Sequence, residues 1–346
     1  MFNNLNQRML DRISLWLLVA IIILVPLLYL PQFEDNGGTI YKIGEYDQIV
    51  PLYKDYTTQP KFYTLLILVC LLLIIHYLKI KKNKTEIKWR QEYLPLVLFL
   101  GLVFLSAFAS PYKKIVVYGK TYRHEGLLAF VAYVILFFST IAIVDTKEKL
   151  KKLFKYLFIS AVVISIVGLI QYFGYDLIQF EAKQMRAEST LGNPDFAGSY
   201  ISMLLPLSFV LFMYAESEFE LWALGLTTTI FYSFLIATGT RSSYVALLAF
   251  IPLAIYLLYQ QLWKYRKRLV VLIVVLCLVT LLLSAVNSGH SWQRFLSLFT
   301  EGHILMTGTE EEINKVGSNR MYIYKTTVPL LFKNPLLGSG PDTFQV

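Results

Sequence analysis

The sequence is short of charge, and what little it has is kept out of long apolar stretches. Asp, Glu, Lys and Arg make up only 16% of the 346 residues, against 56% apolar ones. A soluble globular chain carries roughly 25% charged and 45–50% apolar residues. The surplus is too large to hide in one water-soluble core of this size, so bilayer is the solvent that suits it. Cysteine is nearly absent. Cys70 and Cys277 both lie inside apolar runs, and neither neighbours another ligand-type residue at metal spacing. That argues against a structural disulfide or a metal site. There is no Asp-x-Asp pair, no His-x-x-x-His and no P-loop pattern. A metal-dependent transferase is therefore disfavoured, ATP is not used directly, and no cofactor is expected. Carboxylates and histidines are also scarce within the apolar runs. Ion pumps and proton-coupled transporters usually need such groups inside the membrane.

What is present reads as membrane topology. A helix needs about 20 apolar residues to cross the hydrocarbon, and nine segments qualify: 13–31, 62–79, 93–109, 127–144, 153–173, 196–214, 220–238, 242–259 and 268–286. The first is preceded by Arg8 and Arg12, as in a signal peptide, but it runs into Pro31-Gln32-Phe33-Glu34 without a small-x-small cleavage site and reads as an uncleaved helix. The formal charge of +9 does not point to nucleic acid. The basic residues sit in short runs between apolar segments rather than on one folded surface. Lys79 to Arg90, Lys147 to Lys155 and Lys264 to Arg268, together with Arg8 and Arg12, fall on one side if the N-terminus is cytoplasmic. The expected fold is an all-α polytopic bundle of about nine transmembrane helices. Residues 1–286 form the membrane domain, and 287–346 form the start of a large external loop.

Several external stretches carry arginine. The loop from Tyr112 to Glu125 is short and basic, containing Lys113, Lys114, Lys120 and Arg123. Positive charge placed against the topology bias asks for an anionic partner at the outer surface. Arg186-Ala-Glu188-Ser-Thr-Leu-Gly192-Asn193-Pro194-Asp195 leads into one span, Thr238-Gly-Thr-Arg241-Ser242-Ser243 turns into another, and Arg320 follows Gly317-Ser-Asn in the tail. A guanidinium is always charged and presents a planar fork to phosphate oxygens. Several converging forks suit a lipid diphosphate, and Ser242 and Ser243 at a helix start would add backbone N–H groups. Singly, an arginine at a helix end also snorkels to headgroups without further role. Glu188 and Asp195 serve equally as proton-transfer groups or helix caps, and His124 is a candidate base in an exposed basic loop. In the tail, the Glu310-Glu311-Glu312 run reads as a solvated turn, and 320–332 as a helix on the membrane interface.

At these residues the sequence resembles the O-antigen ligase and Wzy-type polymerase superfamily. Arg186 to Tyr200 is similar to its arginine and Gly-Asn-Pro stretch. Thr238-Gly-Thr-Arg241-Ser-Ser is similar to a second arginine motif in which Ser-Arg-Gly is commoner. Arg123-His-Glu-Gly-Leu-Leu resembles a stretch of Gram-positive-type members, and Arg320 to Phe344, with Asn334-Pro335 and Gly338-Ser-Gly-Pro341, resembles the start of the large external loop. The resemblance implies a metal-independent glycosyltransferase of the bacterial cytoplasmic membrane. Such an enzyme moves a glycan from undecaprenyl diphosphate to an acceptor sugar or protein on the outer face.

Arg186, Arg241, Arg320 and Arg123 would then bind substrate, supported by Asn193, Ser242 and Glu188. The family's base histidine comes later in the external loop, so the catalytic base is expected beyond Val346 and the chain reads as truncated before its last helices. Two other functions compete with this one. A solute transporter predicts flux that needs no lipid donor, and a non-catalytic component would bind lipid-linked glycan without consuming it.

Overall fold

The computed structural model describes residues 7–30, 39–43, 46–50, 55, 57–83, 90–175, 186–286, 290–332 and 335–344. The uninterrupted Leu, Ile and Val runs become helices long enough to cross a bilayer. Those described are α1 (Gln7–Leu27), α2 (Thr58–Asn83), α3 (Leu94–Ala109), α5 (Leu127–Ile143), α6 (Lys147–Tyr172), α7 (Pro194–Met213), α8 (Glu218–Thr238), α9 (Arg241–Lys264) and α10 (Arg266–Val286), with the short α4 (Lys113–Tyr118) before α5. Eight of these, α3 together with the 3-10 turn that precedes it, have the length and composition of membrane spans, and α5 is apolar but only 17 residues long. The basic runs read as loops partly extend these helices. Lys147 to Lys155 form the first turns of α6, and Lys264 ends α9.

One element departs from the all-helical expectation. Strands β1 (Thr39–Ile43) and β2 (Tyr46–Val50) pair antiparallel, Thr39 opposite Val50 and Ile43 opposite Tyr46. Each strand has five residues, well below the roughly 9–11 of a membrane strand. The elements of membrane length are all helices, and the protein is a polytopic α-helical membrane protein.

The described residues fall into two compact units. The first runs to Leu150 and takes in the segment from Ser339 onward. In it α1 packs against α2 and α5. Phe62, Leu65, Val69 and Leu72 form a buried stripe along α2 at helical spacing, while Ile67 and Ile74 point outward. An ion pair of 2.6 Å between Lys79 and Asp11 closes one end of the α1–α2 pair.

The second unit runs from Lys151 to Gly338 and is built on α7 against α8. Small residues let its helices approach closely. A β-carbon on Gly168 would lie 2.1 Å from the Phe234 ring, and Thr228 Oγ1 donates to Ser208 Oγ at 3.1 Å between buried helix faces. The outer helix α10 exposes its apolar side chains instead, with Val271 61% and Leu281 67% exposed. That is the surface a lipid-facing helix presents.

The tail of this unit is more helical than its sequence suggests. Helix α11 (His290–Thr307) precedes α12 (Glu310–Leu331). Trp292, Phe295, Leu296 and Phe299 recur at i, i+3, i+4 and i+7, an apolar stripe in a segment too polar for a span. The triple glutamate is no solvated turn. It is the first turn of α12, where acidic side chains suit the helix dipole. Thr309 and Glu312 form a reciprocal capping box there. Gly317, Ser318 and Asn319 take positive φ of 66°, 60° and 66° and break α12 just before Arg320.

Candidate functional site

Within the second unit, three of the anticipated arginines come together where helices begin and end. The local sequence explains each position. Asn193 caps α7, its Oδ1 accepting from the Asp195 backbone N–H at 2.8 Å, and Pro194 occupies the first turn, where no backbone donor is needed. Gly239 ends α8 in the left-handed conformation at φ 58°, and Thr240 starts α9. Thr240 spends its hydroxyl away from its own helix. Oγ1 donates to the Pro194 carbonyl at 2.8 Å, tying the start of α9 to the start of α7.

Arg186 crosses this junction. Its Nε donates to the Thr238 carbonyl at 2.8 Å, while Nη2 donates to Asp195 Oδ1 at 2.5 Å and to Thr240 Oγ1 at 3.1 Å. Arg320 reaches the other oxygen of the same carboxylate, 3.5 Å from Asp195 Oδ2. Arg241 pairs through Nη1 with Glu301 of α11. Glu301 also accepts the Gly317 backbone N–H at 3.1 Å, fixing the break before Arg320. Two polar atoms at the start of α9 are buried without a hydrogen-bond partner in the described structure: Arg241 Nε and Ser243 Oγ, the latter on a residue only 1% exposed.

The site holds a fourth arginine that the motifs did not single out. Arg294 projects from α11 and donates from Nε to the Gly239 carbonyl at 2.7 Å. A β-carbon on Gly239 would sit 3.2 Å from Arg294 Cδ and 3.6 Å from Arg186 Cγ, so the two side chains converge over that glycine. Burial, then the like charges of Arg186 and Arg241, push the Arg294 pKa down. Its signal in the sequence is the apolar stripe of α11, which seats the helix beside α9 and brings Arg294 inward. Three of the four guanidinium groups thus pair with two carboxylates, Asp195 and Glu301, while Arg294 is held by the Gly239 carbonyl.

The other anticipated residues lie elsewhere. Ser242 is exposed. Glu188 is buried, and its backbone N–H donates to Gln171 Oε1 at 3.0 Å. Arg123 belongs to the first unit and has two carboxylates of its own there. Its Nη2 lies 3.0 Å from Glu125 Oε2 and its Nε 3.2 Å from Asp342 Oδ1. Asp342 also accepts the Lys120 backbone N–H at 2.6 Å, so the basic loop holds Asp342 within the first unit.

Nor is His124 an exposed loop histidine. Its side chain is 12% exposed, stacks on Phe62 at 5.1 Å, and holds Nε2 3.3 Å from Asp55 Oδ2. Burial works to raise the Asp55 pKa, but hydrogen bonds from Thr58, Gln59 and Tyr122 outweigh it and hold the carboxyl below its ordinary value. Among the described residues, no group of three or more His, Cys, Asp or Glu side chains is placed to hold a metal ion.

The spans define a class, a multi-pass α-helical membrane protein, and the helix ends of its second unit carry a cluster of arginines. Residues 226–346 match the family model described as O-Antigen ligase, so this part of the chain is similar to that family. The matched stretch carries Arg241, Arg294 and Arg320, while Arg123 and Arg186 precede it. Comparison with curated proteins and with solved structures gave no match.

Proposed function

We propose that this membrane protein, similar over residues 226–346 to the O-antigen ligase family, binds a glycan on undecaprenyl diphosphate and transfers it to an acceptor sugar or protein. The reaction would take place at the outer face of a bacterial cytoplasmic membrane. One observation carries the reading: Arg186, Arg241, Arg320 and Arg294 meet at one junction of helix ends with only Asp195 and Glu301 to balance them.

The excess of positive charge suits a diphosphate. Breaking the bond between sugar and diphosphate develops negative charge on the leaving phosphate. Guanidinium groups already fixed by carbonyls and carboxylates meet that charge without reorganising, which is the electrostatic role that often contributes most to catalysis. The acceptor hydroxyl needs a base to take its proton as it attacks the sugar carbon.

The test is release of undecaprenyl diphosphate by the protein carrying Arg186→Ala or Arg241→Ala. Loss of one such donor is expected to slow turnover by about 10²-fold or more. Undiminished turnover in both variants would sink the diphosphate clamp.

A further inference from the structure

Arg294 differs from the other arginines of the junction in what holds it. Asp195 binds Arg186 and Arg320, and Glu301 binds Arg241. The one hydrogen bond the structure gives Arg294 is to a neutral acceptor, the Gly239 carbonyl, and no carboxylate lies within ion-pairing distance of it among the described residues. Like charges flank it in Arg186 and Arg241, and Asp195, already paired with two other arginines, attracts it more weakly. Its place is nevertheless well determined. Arg294 and Glu301 are seven residues apart on α11 and therefore share a face. Glu301 docks that face on Arg241 and the Gly317 backbone, while Trp292 and Phe295 pack beside Tyr244 of α9, with the Phe295 ring 5.9 Å from it. A half-buried guanidinium kept against two others, with no anion of its own, is an unfilled demand for negative charge.

We infer that Arg294 is a specificity-determining residue of the donor site, supplying the contact to a second phosphate that makes the site select a diphosphate over a monophosphate. The inference rests on the donor reading above. Four arginines against two carboxylates leave two positive charges in excess, and a glycan-bearing diphosphate diester carries two negative ones. A monophosphate diester carries one, and would be held by the carboxylate-paired arginines alone.

The experiment compares binding of a sugar linked to undecaprenyl through a diphosphate with that of a sugar linked through a monophosphate, the two diesters just counted, to the protein in lipid nanodiscs. The wild type is expected to prefer the diphosphate. Arg294→Ala should weaken diphosphate binding by about tenfold or more while leaving monophosphate binding nearly unchanged, so the preference collapses, and Arg294→Lys should restore part of it. Arg186→Ala should weaken both lipids. If Arg294→Ala lowers both lipids in parallel, or neither, Arg294 does not select the second phosphate although the donor site stands. If the wild type binds neither lipid, the donor reading fails and this inference with it. Thermal unfolding of each variant separates lost binding from lost fold: an Arg294→Ala protein that melts like the wild type yet keeps its preference overturns the proposal.

Discussion

Gly239 shows how one residue can serve both the backbone and the site. It closes α8 in the left-handed region at φ 58°, and its carbonyl receives Arg294 Nε. Any side chain there meets a backbone penalty of about 1–2 kcal/mol, and a β-carbon would press on Arg294 Cδ at 3.2 Å. Gly239→Ala is therefore expected to lower stability by that amount and to weaken donor binding by shifting two arginines at once. Thermal unfolding and lipid binding measured on the same sample check both, and unchanged binding at reduced stability would separate the glycine from the site. The motif around Arg241 was legible in the sequence because the turn is short and local. Arg294 was not, because its role depends on α11 folding back over a glycine 55 residues away.

At the scale of elements, most helices follow from local chemistry. Asn193-Pro194 starts α7 and the Thr309–Glu312 capping box starts α12, signals that act within one turn. The start of α2 is different. Asp55 receives the Thr58 backbone N–H at 2.7 Å, as a cap does, and also the Tyr122 backbone N–H at 2.9 Å from a loop 67 residues further on. That second bond holds Tyr122 at φ 70°, a strained value for a non-glycine residue. Because folding holds the Asp55 pKa below its ordinary 3.8, the carboxylate contributes stability that is complete above that value. The contribution is lost as the pH falls through the lower folded value. Hydrogen exchange at the Thr58 and Tyr122 amides should accelerate over that acid range in the wild type beyond the intrinsic trend. In Asp55→Asn the pH dependence should be flat; an equal acid response in both proteins would remove Asp55 as its source.

For the whole molecule, the lysine and arginine distribution predicts an orientation that labelling can test. Gly302 on α11 has no atom within 4 Å of an added β-carbon, and Lys82 lies at the far end of α2. In a background without Cys70 and Cys277, Gly302→Cys should react with a membrane-impermeant thiol reagent on intact cells, and Lys82→Cys only after permeabilisation. The reverse pattern would invert the topology and move the arginine junction to the cytoplasmic face.

Sequence alone determined the solvent of this protein, the apolar runs that become its long helices, and the arginines that stand at helix ends, because hydropathy, caps and turns act over a few residues. Tertiary structure decided which charges face which. It joined Arg186 and Arg320 through Asp195, gave Arg241 to Glu301, left Arg294 without a carboxylate, and bound Arg123 to Asp342 in the other unit. Such pairings join residues from 9 to more than 200 positions apart. A charge's partner is set by distance in space, which periodicity and spacing along one chain do not encode.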